Sequence, residues 1–172
     1  MLNITISKVN FQRIDDLQKI SQQTFIETFA ESNTKENIKD YVNNNLSIAQ
    51  LASELSLKNS QFYFAIHNSD VIGYLKLNLA DAQTELKREN SIEIERIYIL
   101  KEYHGKKVAK LLFETALTIA NERNASFIWL GVWEHNPRAI HFYKKYGFIE
   151  FDKHIFRLGN DDQTDIMMKL IL

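Results

Sequence analysis

The sequence predicts an α/β chain of the α+β kind: a single mixed, mostly antiparallel central sheet of about seven strands flanked by helices. Residues 1–172 are expected to form one domain. Three observations carry this prediction. Seven short stretches are β-rich or alternate apolar with polar residues. Five longer stretches repeat apolar residues at helical spacing. The order mixes hairpins with strand–helix–strand crossovers, which requires one mixed sheet with helices on its faces.

The elements follow in chain order. "LNITIS" alternates and reads as the first strand. From Asn10 to about Ala30 the pattern is helical, with Ile14, Leu17, Ile20, Thr24, Phe25 and Phe29 on one stripe. "SNTKENIKDYVNN" reads as a second helix capped by Asn33 or Thr34, and "SIAQLASELSLK" as a third. "QFYFAIH" and "VIGYLKLNL" are strands, and the "HNSD" between them has hairpin-turn chemistry. After the polar "ADAQTELKREN" comes the strand "SIEIERIYIL", then a long helix from about Gly105 to Arg123. "SFIWLGVW" is apolar on both faces, as a central strand is. "NPRAIHFYKKYG" has an Asn cap, proline at the first helical position and glycine just past the end. Two strands, "FIEFDKHIF" and "TDIMMKLIL", close the chain around the loop "RLGNDDQ".

Composition narrows the function. The 172 residues suffice for a substantial core, and the net charge of −1 argues against a nucleic-acid surface built on global charge. The absence of cysteine excludes disulfides, thiolate zinc sites and a cysteine nucleophile. His67, His135, His141 and His154 show no metal-ligand spacing, so no metal is expected and these histidines read as structural or surface residues. "MLNITISKVN" lacks the pattern of a signal peptide, and no apolar stretch approaches the ~20 residues of a membrane span. A cytoplasmic protein without membrane or nucleic-acid partners is the expectation.

The most informative stretch is "ERIYILKEYHGKKVAKLLFETA", where a strand hands over to a helix across one glycine and a cluster of lysines. A helix start offers unpaired N–H groups and a dipole that favours anions. Gly105 lets a bulky anion approach, and Lys106, Lys107 and Lys110 add charge, so the stretch reads as a diphosphate cradle. The same letters suit an ordinary helix start with a solvated lysine face. The P-loop pattern is absent.

"VIGYLKL", "IERIYILKEYHGKKVAKLL", "IWLGVWEHN" and "AIHFYKKYGF" stand in an order that resembles the GNAT superfamily of acyl-CoA-dependent N-acyltransferases, over nearly the whole chain. "IERIYI", "IWLGVWE" and "DDQTD" bring it closest to the PaiA-type spermidine/spermine N-acetyltransferases. The resemblance implies the GNAT fold and acetyl-CoA as cofactor. The family's cofactor signature, Q/R-x-x-G-x-G/A, aligns with His104 to Ala109. Ala109 matches, His104 replaces Gln or Arg, and Lys107 replaces the central glycine. His104, Gly105, Lys106, Lys107, Val108, Ala109 and Lys110 would thus hold the coenzyme's phosphates, with Lys145 in reach. The backbone of Ile97, Tyr98 and Ile99 would bond the pantetheine arm, and Asn136 would both cap its helix and touch that arm.

Acyl transfer to an amine needs a base, an oxyanion donor and an acid for the departing thiolate. An alkyl amine with a pKa near ~10.4 is almost wholly protonated at neutral pH. Glu93, Glu95, Ile97 and Ile99 share one strand face by period two, which makes Glu95 the first candidate base and Glu93 the second. The alternative is a Glu95 that only pairs with Arg96 or Lys76. By resemblance, Tyr143 is the acid; its helical spacing with Ala139, Phe142 and Tyr146 also suits a core aromatic. Without cysteine, direct attack in a ternary complex is the simplest scheme.

The acceptor is expected to be a small amine, a polyamine such as spermidine or spermine. Glu27, Glu31, Glu93 and Asp162, with Asp161 and Asp165, would attract a polycation. Phe29, Tyr41, Trp129 and Trp133 either shape the channel or fill the core. A non-catalytic acyl-CoA-binding regulatory protein and a peptide or protein N-acetyltransferase are the competing readings. The final strands offer an edge for homodimer pairing, which the letters do not require.

Overall fold

A computed structural model describes residues 2–88 and 90–172. The chain runs β1 (Ile4–Lys8), α1 (Ile14–Phe29), α2 (Lys35–Asn45), α3 (Ile48–Ser56), β2 (Ser60–His67), β3 (Asp70–Leu79), β4 (Ser91–Ile99), α4 (Val108–Glu122), β5 (Phe127–Trp133), α5 (Pro137–Lys145), β6 (Ile149–Leu158) and β7 (Asp161–Ile171). The seven strands form one sheet in the order β1-β2-β3-β4-β5-β7-β6. Every neighbouring pair is antiparallel except β4 and β5. The expected sheet is the observed one.

Local chemistry explains the elements. Thr34, not Asn33, caps α2, and its hydroxyl accepts from the Asn37 N–H at 3.2 Å. Ser47 caps α3 in the same way. The β2–β3 hairpin closes on Asn68 and Ser69, both with positive φ, as a two-residue turn of matching twist requires. Ile72 to Leu79 of β3 are buried without interruption, so both faces of the sheet are covered there. Helices α1 and α3 pack over β2, β3 and β4, and α4 packs across β1 to β5. Among the described residues, no helix is long and apolar enough to cross a membrane.

Two expectations of extent are corrected. The helix expected from Gly105 begins at Val108. Lys101–Tyr103 first make a 3₁₀ turn, and positive φ at Gly105 (78°) and Lys107 (66°) keeps residues 104–107 out of the helix. The expected loop "RLGNDDQ" shrinks to a two-residue turn at Gly159 and Asn160, because β6 and β7 pair all the way to Leu158 and Asp161. Gly159 has φ of 64°, and Asn160 accepts from the Asn37 amide at 2.9 Å, which seats the hairpin tip on α2.

Two hydrophobic clusters result. The larger unites the sheet with α1, α3 and α4. The smaller joins Phe25, Phe29, Ile38, Val42, Leu46 and Leu158 to the partly buried Tyr41, Tyr98, Trp133 and Phe156. It places α1 and α2 against the β6–β7 hairpin beside the sheet.

Candidate active site

The site originates in a defect of the sheet. Parallel pairing of β4 with β5 stops after Glu93 and Trp129. Beyond it, β4 runs on to Ile99 and β5 to Trp133 without a shared ladder. The strands therefore splay into a wedge, with main-chain groups of β4 facing it unpaired by any strand. A cavity of about 330 Å³ opens there. Its lining includes Glu93, Glu95, Ile97, Tyr98, Asn136 and Tyr143.

At the far end of β4 the chain turns into α4. Lys107 stands at the N-cap position and has no acceptor atom to cap the helix. The N–H groups of Gly105, Lys107, Val108, Ala109 and Lys110 have no hydrogen-bond partner among the described residues. The turn is thus an exposed nest of free amides at a helix start, which suits a phosphate. Lys107 takes the left-handed conformation that the family's glycine would adopt freely. Lys106 lies over the Tyr103 ring at 4.8 Å and Lys110 pairs with Glu114 at 3.4 Å. His104 sits between the Ile99 carbonyl and Arg138.

Asn136 caps α5, accepting from the Ala139 N–H at 3.1 Å, and lines the wedge. About two turns on, Tyr143 is buried in the cavity wall, and its hydroxyl has no hydrogen-bond partner among the described residues. Burial pushes its phenol well above the ordinary range, so it stays protonated. Lys145, in the last turn of α5, is exposed and lines neither cavity.

The two β4 carboxylates differ. A bulge at Glu95 breaks the alternation, since Lys76 faces Arg96 while Leu77 faces Ile94. Glu95 and Arg96 therefore meet in one ion network, and the expected face of Glu93, Glu95, Ile97 and Ile99 does not persist past the bulge. Glu95 lies 2.6 Å from Lys76 Nζ and 3.0 Å from Arg96 Nη2, so both its oxygens are held by cations. Glu54 of α3 closes the network with Arg96 and Lys76 at 2.9 Å each. Burial would raise the Glu54 carboxyl, but Arg96 and Lys76 together hold it below the usual range. Glu93 has only neutral partners: the Thr84 N–H at 2.8 Å, the Thr84 hydroxyl and the Asn78 amide at 3.1 Å. Burial raises its carboxyl above the usual range, and these donors only partly offset that.

The acidic residues expected at the acceptor side are redistributed. Glu31 is exposed and 3.6 Å from Lys101, outside both cavities. Asp162 is exposed and bound to Arg157 through two hydrogen bonds, at 2.7 and 3.0 Å. It faces away because it lies an odd number of positions from Asp165 along one strand. Glu27 accepts from the Lys101 N–H at 2.7 Å and lines only a smaller cavity beside His104 and Arg138. Asp161 is occupied by Asn33 and Gln163.

The carboxylates that do line the main cavity are Glu85, Glu93, Glu95 and Asp165. His154 sits among them, 2.7 Å from Glu85 and 3.3 Å from Asp165. Its bond to Asp165 raises the imidazole above its ordinary range, against the opposing effect of burial. Sequence reading had set His154 apart as structural and passed over Glu85, Thr84, Asn78 and Arg138. Phe29, Tyr41 and Trp133 line the cavity, whereas Trp129 is core, its indole N–H donating to Gln83 at 2.7 Å.

This geometry has counterparts. Residues 14–148 match the model of the acetyltransferase (GNAT) family, and the chain belongs to that family. The chain is 38% identical over 172 residues to an uncharacterized N-acetyltransferase of Lactobacillus delbrueckii subsp. lactis, covering 100% of this chain and 99% of that one. It is 25% identical to a spermidine N(1)-acetyltransferase of Thermoplasma acidophilum, over 98% of this chain and 97% of that protein. The PaiA N-acetyltransferase of Thermoplasma acidophilum, solved in complex with coenzyme A, superposes with a TM-score of 0.83 at 24% identity, covering 99% of this chain and 100% of that one. The protein is accordingly an acetyl-CoA-dependent N-acetyltransferase with the GNAT fold. Its own features fit the coenzyme: free amides for the diphosphate and an unpaired strand edge for the amide-bearing arm.

Proposed function

We propose that the acceptor is a small cationic amine, a polyamine such as spermidine or spermine, acetylated by direct attack within the ternary complex. The observation that carries this is the cavity wall, where Glu85, Glu93, Glu95 and Asp165 stand among the rings of Phe25, Phe29, Tyr41, Tyr98, Trp133 and Phe156. Carboxylates attract an ammonium, and aromatic faces hold a desolvated cation. The names of the spermidine N(1)-acetyltransferase and PaiA relatives support the same class. A walled cavity of about 330 Å³ suits a small molecule better than a peptide strand. One sheet threads all seven strands, in keeping with a single N-acetyltransferase domain over residues 1–172.

Acetyl-CoA, when bound, supplies an acyl carbon activated as a thioester. The chain's residues supply the rest. Glu93 is the base that takes the ammonium proton, directly or through water; its neutral partners and raised pKa suit that task better than Glu95, held between two cations. Glu95 instead stands at the bulge of β4, paired with Lys76 and Arg96. An N–H of Ile97, Tyr98 or Ile99 faces the developing oxyanion. Tyr143 donates a proton to the departing sulfur, and its raised pKa keeps the proton available at every working pH. Asn136, Gly105 and the amides of Lys107 to Lys110 hold the coenzyme.

Thiol release from acetyl-CoA tests the acceptor. Turnover should be fastest with di- and polyamines, slower with monoamines of equal length and absent with uncharged hydroxyl analogues. Equal turnover of peptides and polyamines would contradict the small-cation reading.

A further inference from the structure

His104 makes two ring contacts, and the chemistry of its partners assigns both. Nε2 lies 2.9 Å from the Ile99 carbonyl oxygen, which can only accept. Nε2 therefore carries a proton. Nδ1 lies 2.6 Å from Arg138 Nη1, and a guanidinium can only donate. Nδ1 therefore offers its lone pair. Both contacts coexist in one state of the ring, the neutral tautomer protonated at Nε2. A second proton, on Nδ1, removes the acceptor and sets two cations against each other.

The position of this pair gives it a consequence. His104 directly precedes Gly105, and its Nε2 holds the last residue of β4. Arg138 belongs to the first turn of α5, two residues past the Asn136 cap. The contact thus joins the coenzyme turn to the helix that carries Asn136 and Tyr143. Both residues line the smaller cavity, of about 190 Å³, together with Asn136 and Trp133, which also line the wedge. The titratable and charged groups facing His104 are Arg138 from α5, Glu27 from α1, Lys101 from the 3₁₀ turn and, across the smaller cavity, His135 from the segment between β5 and α5. Burial, then Arg138, pushes the imidazole below its ordinary range, in keeping with a neutral ring.

We infer that His104 is a positioning residue: it ties Arg138 to the coenzyme turn as an added cation for the phosphates, and the tie opens when the imidazole takes a second proton. The family signature places Gln or Arg at this position. A glutamine amide can donate to Ile99 and accept from Arg138 as the neutral imidazole does, but it does not titrate. An arginine there offers no acceptor. In this chain the histidine makes the tie one that weakens in acid.

The test is calorimetric binding of coenzyme A to the full chain at about pH 8 and about pH 5, the lower point set well under the ordinary imidazole range because burial and Arg138 depress this ring. His104→Gln can make both hydrogen bonds without a titrating ring and is the non-titrating reference, each protein's affinity at the lower pH being read against its own at the higher. On acidification, wild type should lose roughly threefold to tenfold more affinity than His104→Gln, as one charge-assisted contact is exchanged for a repulsion. Protonation of the coenzyme's own phosphates is common to both proteins and cancels. Arg138→Gln should bind more weakly than wild type at the higher pH and show no excess loss in acid. Parallel pH dependences for wild type and His104→Gln would overturn the inference, as would unchanged binding by Arg138→Gln. Long-range proton–nitrogen NMR of the wild-type ring at about pH 8 is an independent check. It should report the Nε2–H tautomer, and an Nδ1–H tautomer would overturn the inference even if a variant fails to fold.

Discussion

The donor and acceptor sides of this enzyme are built from different materials. Among the described residues, the donor side is mostly backbone: a strand edge without a partner, five free amides and a helix start that no side chain caps. The acceptor side is mostly side chain: carboxylates, a histidine and six aromatic rings, brought in by α1, α2, the Thr84–Glu85 segment, β4, the end of β5 and the β6–β7 hairpin. A backbone site tolerates substitution, since any residue except proline can offer an N–H. That is why Lys107 can stand where the family has glycine. A side-chain site changes with each letter, which leaves it free to select different amines on one scaffold. In the proposed mechanism the two sides meet at Tyr143 and Glu93, and variants should separate accordingly.

The largest effect is expected at the meeting point. Tyr143→Phe should lower kcat by roughly a thousandfold, within the usual range for loss of a positioned acid, while coenzyme affinity changes little. Single-turnover thiol release against calorimetric binding checks the split. Glu93→Gln should lower kcat by about a hundredfold at neutral pH and regain activity in alkali, where the amine deprotonates by itself. As the proposed base, Glu93 accepts the proton only when ionised. Because burial raises its pKa, the acid limb of the kcat profile should fall above the ordinary carboxylate range and vanish in Glu93→Gln.

Smaller effects should fall on one side only. Asp165→Asn should raise KM for a polyamine by roughly tenfold, the cost of about one partly buried charge contact, and leave coenzyme binding unchanged. A parallel loss of coenzyme affinity would show that the two sides are not separable. Lys107→Gly removes a left-handed lysine and should stabilise the fold by about 1 kcal/mol, read as a rise in Tm of a few degrees. No change in Tm would mean that the turn carries no backbone strain.

The same division governs what was legible in the sequence. Donor-side features are local. Gly105, the Asn136–Pro137 cap and the helical stripe of α5 each lie within a few residues, so short-range patterns found them. The splay of β4 from β5 is not legible in the letters, because no letter marks where a ladder stops; the resemblance implied only the bonds of the pantetheine arm to the backbone of Ile97, Tyr98 and Ile99. The bulge at Glu95 was missed for the same reason, and strict period two then grouped Glu95 with Ile97 and Ile99 instead of Arg96. Acceptor-side features depend on register. Reading "RLGNDDQ" as a loop hid a two-residue turn at Gly159 and Asn160. Counting back from that turn pairs Leu158 with Asp161, Arg157 with Asp162 and His154 with Asp165. The same count assigns Asp162 to an exposed ion pair and Asp165 to the cavity. The tight turn was therefore the signal that would have placed His154 in the site. The contacts of Thr84 with Glu93 and of Glu85 with His154 join strands to an irregular segment, and no periodicity predicts those.

The most direct test of the account is a crystal structure with coenzyme A bound. It should place the diphosphate on the amides of residues 105–110, the pantetheine arm along Ile97 to Ile99 inside the wedge, and the sulfur within hydrogen-bonding reach of the Tyr143 hydroxyl. A sulfur remote from that ring, or a diphosphate seated elsewhere, would contradict it.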